Sequence, residues 1–175
     1  IAPASALGRG GVSVIRMSGD HSKQIAEAMC GPLAESWKFK KCKIKSSEGQ
    51  VLDSGMVVFF ESPNSYTGED VVEFHCHGNP TIVNLILEDA VNRGARVAEP
   101  GEFTKTAFLN DKIDLAQAES VADLINAQSK SAIIAAGSSL SGEFSSTVES
   151  IVEGLIKTRV VVEAHIDFPE EEIDS

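Results

Sequence analysis

The sequence lacks three things. It has no apolar run of membrane-spanning length, which excludes a transmembrane helix within these 175 residues. It has only three cysteines, Cys30, Cys42 and Cys76, an odd number without the spacing of a disulfide framework, and no signal peptide is visible. These point to a reducing, cytoplasmic setting. It is also poor in basic residues, with a net charge of −11. Residues 1–112 carry 12 Lys/Arg against 14 Asp/Glu, whereas residues 113–175 carry 3 against 12. Such a chain repels phosphate backbones, so strong binding to nucleic acid by this piece alone is not expected.

What is present reads as two regions. Val12–Met17 is a short run with β-branched residues, entered through Gly8-Arg9-Gly10-Gly11, and predicts a largely buried strand. A helix over His21–Met29 follows, ended near Gly31-Pro32. Lys41, Lys43 and Lys45 alternate with Cys42 and Ile44, the pattern of a half-exposed strand. Met56–Phe60 and Val71–Phe74 predict two more strands, separated by a turn-rich cluster. Pro80 opens a helix as a first-turn proline, with Ile82, Leu85, Ile86, Ala90 and Val91 facing inward and Gly94 as its stop. Ala95–Ala98 reads as a last short strand. This order argues for an α+β fold, a mixed sheet with helices on one side, over residues 1–112.

Beyond Gly101 the periodicity is helical only. Asp114 with Gln117 forms a capping-box pattern ahead of Leu115, Ala118, Ala122 and Ile125. A second helical segment surrounds Ser131–Ala136. A third runs through Leu140, Phe144, Val148, Ile151, Leu155, Val162 and Ile166, a reach of roughly 40 Å. Phe168-Pro169 ends it and Glu170-Glu171-Glu172 follows. An apolar stripe of that length requires covering helices. Residues 113–175 are therefore expected to be the first part of an all-α domain that continues past Ser175, and the non-Met start implies residues ahead of Ile1.

Two segments concentrate polar groups around short apolar stretches: Pro63–Gly78 (PNSYTGEDVVEFHCHG) and Pro100–Glu119 (PGEFTKTAFLNDKIDLAQAE). Together with Gly8–Gly19 (GRGGVSVIRMSG) and Ile166–Glu171 (IDFPEE), they resemble the tRNA-modification GTPases called MnmE or TrmE. The four motifs occur in order over nearly the whole chain. The resemblance implies a tetrahydrofolate-binding, T-protein-like N-terminal domain that also forms a homodimer, then a helical domain interrupted in the family by a GTPase domain. It carries over a 5-formyltetrahydrofolate site at Arg16, Glu73 and Lys112. It further implies, for the parent protein, GTP with Mg and potassium, a flavoprotein partner called MnmG or GidA, and installation of the carboxymethylaminomethyl group on the wobble uridine of tRNA.

The residue types suit that ligand. A carboxylate such as Glu73 accepts from the adjacent N–H donors of a pterin edge, and Arg16 and Lys112 offer positive charge to folate carboxylates or oxygens. Which of the two faces the tail is left open. On spacing alone Glu73 fits equally the outward, solvated charge of a strand, Arg16 a sheet-edge charge, and Lys112 a surface lysine. Tyr66–Asp70 reads either as a ligand loop or as a plain turn, and His77-Gly78 as a turn lining the pocket.

No catalytic residue is expected in this piece. It has no G-x-x-x-x-G-K-[ST] sequence, so it is expected neither to bind nor to hydrolyse GTP. His75-Cys76-His77 does not predict a metal site, because strand alternation puts Cys76 opposite the two histidines. Two other readings stand beside the family one: a folate-dependent one-carbon transferase like the T-proteins, and a purely structural dimerisation module.

Overall fold

The computed structural model describes residues 1–6 and 8–167, so the expected stop at Phe168-Pro169, the acidic triplet and most of the IDFPEE motif lie outside the described residues. The chain divides into two compact units, residues 1–112 and 113–175.

The first unit is built on one five-stranded sheet. Its strands are β1 (Ala2–Pro3), β2 (Gly10–Ser18), β3 (Lys40–Lys45), β4 (Val51–Phe60) and β5 (Val71–Gly78), in the spatial order β1-β2-β5-β4-β3. The α+β expectation holds, but the sheet is antiparallel throughout rather than mixed. Consecutive strands β3, β4 and β5 form a meander, whose short connections permit only antiparallel pairing, and β2 runs antiparallel along the free edge of β5. The strand expected at Ala95–Ala98 does not form. Two bonds to Ile1 alone hold that segment, from Ala98 N to Ile1 O (2.9 Å) and from the Ile1 amino group to Arg96 O (2.6 Å), too little for a ladder, and Ala2–Pro3 takes the edge beside β2 instead.

Helices α1 (Ser22–Cys30) and α2 (Pro80–Asn92) pack on one face of this sheet. Strand alternation sends Ile15, Met17, Ile44, Val57, Phe59, Val72, Phe74 and Cys76 to that face, where they meet Ile25, Met29, Val83 and Ile86. Each large apolar side chain buried there contributes about 1.5–3 kcal/mol. The inward stripe of α2 is rotated from the expected one, since Val83 is buried while Leu85 and Val91 are 41% and 40% exposed. Pro80 does open α2, and the side chain of Asn79 caps it by accepting from Thr81 N at 2.9 Å. The buried Asp89 carboxylate is fully used: it accepts from Ser47 N at 2.7 Å and pairs with Arg93 Nε at 2.6 Å, tying α2 to the β3–β4 turn. A short helix, α3 (Glu102–Leu109), completes the unit.

The second unit consists, among its described residues, of α4 (Leu115–Asn126), α5 (Lys130–Leu140) and α6 (Glu143–Asp167). The capping box is present, with Asp114 Oδ1 accepting from Gln117 N at 2.8 Å and Gln117 Oε1 accepting from Asp114 N at 2.9 Å. Gln117 also donates to Leu140 O (3.0 Å), and Ser120 Oγ donates to Ser139 Oγ (2.6 Å), so polar contacts join α4 to α5. Leu140 belongs to α5 rather than to the long helix, because Gly142 at φ 89° breaks the chain between them. No described residue of α6 is buried, and its stripe of Phe144, Val148, Ile151 and Leu155 is exposed.

Candidate functional site

The sheet face opposite the two helices carries the charged groups. Arg16 lies between Ile15 and Met17, which are buried in the core, so alternation turns it to the other side. Glu73, between the buried Val72 and Phe74, is turned the same way, and the β2–β5 register sets the two directly opposite. They form an ion pair in which Arg16 Nε (2.9 Å) and Nη2 (2.8 Å) both donate to Oε1 of Glu73. The side chains are 23% and 14% exposed, a partly desolvated environment in which such a pair is stronger than at an open surface.

The second Glu73 oxygen, Oε2, is 3.4 Å from His75 Nε2, but their orientation does not make a hydrogen bond. Among the described residues His75 Nε2 is the one buried side-chain nitrogen or oxygen without a partner. Phe39 packs edge-on against the His75 ring at 5.1 Å. Two further aromatic rings contact the guanidinium of Arg16: its Cζ lies 4.9 Å from the centre of Tyr66 and 5.6 Å from that of Phe103.

The segment 61–70 supplies Tyr66 and is held in place from several sides. Tyr66 Oη is 2.9 Å from Thr104 Oγ1 of α3. The fully buried Thr67 meets Ser18 Oγ at 2.6 Å, and Ser18 also donates to Glu69 Oε2 at 2.7 Å. Asn110 Nδ2 donates to Thr67 O at 2.7 Å, and Lys112 Nζ donates to Pro63 O at 2.9 Å. Gly68 has φ +80°, and an added Cβ would press on the Lys112 stem at 3.3 Å.

Arg16 and Glu73 therefore come together. Lys112 makes no hydrogen bond to either among the described residues and instead holds Pro63 O, in the segment whose Tyr66 lies over Arg16. Sequence reasoning took Tyr66 only as part of a loop and passed over Phe103, Phe39 and the free nitrogen of His75. Phe103 stood inside the PGEF motif, but nothing in spacing alone aims it at Arg16.

His77 lies near the end of β5, where its ring Nδ1 is 2.8 Å from Asp53 Oδ1 and its backbone N donates to Oδ2 at 2.7 Å. Burial acts to raise the pKa of Asp53, but the hydrogen bonds from His77 and Ser54 outweigh it and hold the carboxyl below its usual range. His77 and His75 line a small cleft of about 170 Å³ with Gly11, Val12 and Ser54. A more enclosed cleft, about 260 Å³, is lined by Ser18, Asp20, His21, Glu69 and Phe103 and does not include Arg16 or Glu73. Enclosure and charge thus point to different places. The paired charges and the unpartnered nitrogen carry recognition chemistry, which shape alone does not. Cys76 faces the core, where burial pushes its thiol up to about 11, so it is no nucleophile at neutral pH.

Comparison with known proteins gives the family. The family model described as the GTP-binding protein TrmE N-terminus matches residues 1–112, and that of the MnmE helical domain matches residues 115–175. A protein of Neisseria gonorrhoeae named tRNA modification GTPase MnmE is 52% identical over 173 residues, covering 99% of this chain and 39% of the relative. Proteins of the same name from Nitrosomonas eutropha and Hydrogenovibrio crunogenus are 52% and 53% identical over 171 residues, each covering 98% of this chain and 38% of the relative. The chain thus spans about two fifths of the length of these curated relatives.

Proposed function

The chain belongs to the MnmE/TrmE family, and from that premise we propose that residues 1–112 bind 5-formyltetrahydrofolate on the sheet face carrying Arg16 and Glu73. The observation that carries this reading is the ion pair itself, flanked by two aromatic rings and adjoining an unpartnered buried nitrogen. A buried polar atom without a partner costs stability, and a ligand that supplies one recovers that cost. A pterin edge brings adjacent N–H donors for Glu73, whose Oε2 accepts no hydrogen bond from the described residues. Arg16, released from Glu73 or shared with it, faces an anionic or carbonyl oxygen of the ligand. Lys112 adds positive charge at the rim through its hold on the 61–70 segment. A flat ring stacks on Tyr66 or Phe103.

For the longer protein we assign a part in modifying the wobble uridine of tRNA together with a flavoprotein of the MnmG/GidA kind, in the cytoplasm. Pairing of two copies through the first unit belongs to the same reading, as does GTP hydrolysis, with Mg and potassium, by sequence that this chain does not span. The acidic second unit makes direct tRNA contact by residues 113–175 unfavourable.

Equilibrium dialysis of 5-formyltetrahydrofolate against the wild-type chain and its Glu73→Gln variant tests the site. Glu73→Gln keeps the shape but turns one acceptor into a donor, so affinity should fall about tenfold or more. Undiminished affinity in a folded variant overturns the assignment.

A further inference from the structure

Cys30 and Cys42 lie far apart in local structure but meet in space. Cys30 is the last residue of α1 and Cys42 sits in the edge strand β3, yet their sulfur atoms are 3.3 Å apart. Both are free thiols; Cys30 is half-buried and Cys42 is 8% exposed. A disulfide needs the sulfurs at about 2.05 Å, so an approach of about 1.2 Å suffices. Rotation of two side chains supplies that movement more readily than displacement of either element. Cys76 is on another strand and hydrogen-bonds Ser13 O at 3.5 Å, so it serves as a built-in control.

We propose that Cys30 and Cys42 form a modification site: a dithiol that a hydroperoxide converts into an intramolecular disulfide. One thiolate attacks a peroxide oxygen, the O–O bond breaks, and water leaves after taking up a proton, giving a sulfenic acid. The second sulfur attacks the first, the S–S bond forms and the S–O bond breaks. The departing hydroxide takes the second thiol proton and leaves as water. Two thiols thus lose two electrons and two protons, and hydrogen peroxide is reduced to two waters.

The microenvironment favours this chemistry. The hydrogen bond between the sulfurs lowers the pKa of Cys42 and raises that of Cys30, and the charge of Lys40 helps to lower both. A thiolate is the reactive form, and one sulfur is therefore primed while its partner waits alongside. In a reducing setting such a bond is transient rather than structural, as befits a sensor. Its closure would fix both ends of the segment 31–41, whose Phe39 packs against His75.

The test uses the full chain, oxidised with hydrogen peroxide near stoichiometry, alkylated to block remaining thiols, then weighed intact and mapped by peptide mass spectrometry. The expected result is a loss of two hydrogens, located in a peptide pair joining Cys30 to Cys42 and reversed by dithiothreitol. Closing this short loop should raise Tm by roughly 5 °C or more. Cys30→Ser should abolish the cross-link and Cys76→Ser should leave it intact. Oxidation that yields mainly sulfinic acids, links between chains or bonds to Cys76 in the wild-type chain would overturn the proposal, without reliance on any variant.

Discussion

Breaking the Arg16–Glu73 pair gives a magnitude that the geometry sets. Glu73→Gln removes the charge while keeping the shape, and Arg16→Met keeps the apolar stem while removing the guanidinium. Two donors converge on one oxygen at 2.8 and 2.9 Å, with side chains 14–23% exposed. A fully solvated pair would contribute about 0–1 kcal/mol. Removing one partner of a fully buried pair costs about 3–5 kcal/mol. At this partial burial each single substitution should cost about 1–3 kcal/mol. In Arg16→Met, Glu73 keeps no hydrogen-bond donor among the described side chains, since His75 Nε2 at 3.4 Å makes no hydrogen bond to it. In Glu73→Gln, Arg16 retains Tyr66 and Phe103, so that variant should be the milder. The double variant leaves no stranded charge, so the cycle should give a coupling of about 1–2 kcal/mol. Urea unfolding of the four proteins, followed by circular dichroism with a common m-value, measures it. Repetition in high salt should change it little, since partly buried pairs are weakly screened. Coupling below about 0.5 kcal/mol, or its disappearance in salt, would refute the view that the pair is desolvated beneath its aromatic cover.

Other substitutions probe the frame around the site. A Cβ at Gly55 would lie 2.2 Å from His75 O, and one at Gly78 would lie 2.5 Å from Gly10 O, both rigid backbone; Gly55→Ala and Gly78→Ala should each cost about 3 kcal/mol or prevent folding, read as a fall in Tm. Asn79→Ala should cost about 1 kcal/mol through loss of the α2 cap, and Asn79→Asp much less, by chemical denaturation. The Cys76 thiol is held protonated up to about 11 by burial, whereas in the unfolded chain it ionises near 8.5. Its stabilising contribution is therefore complete below about pH 8.5 and is lost as pH rises through about 11. Cys76→Ala should flatten that part of the pH–stability curve, and an unchanged curve would contradict the assignment.

The fold was legible where periodicity was strong. The pattern Val71-Val72-Glu73-Phe74 marks Glu73 as an outward position, whereas Arg16, in a run that reads as largely buried, reads only as a sheet-edge charge, and neither pattern names a partner. Only the β2–β5 register shows that the two meet. Two-residue β1 is too short to leave a pattern, and the apolar Ala95–Ala98 imitates a strand without finding a ladder. Gly142 was the signal that separates Leu140 from α6, and continuous apolar spacing obscured it. The family motifs, rather than spacing, singled out Lys112, and its grip on Pro63 depends on how a distant segment folds back. The aromatic contacts to Arg16 come from residues 66 and 103, separations at which sequence alone is silent about contact.

Calorimetric titration of the 175-residue chain with 5-formyltetrahydrofolate, beside its Arg16→Ala variant, tests the central claim most directly. The account predicts saturable heat for the wild-type chain. It predicts binding weaker by about 10–100-fold in the folded variant, the loss that goes with one charge-assisted contact of about 1.5–3 kcal/mol. No heat from a well-folded wild-type chain, or equal affinity in the two proteins, would contradict it.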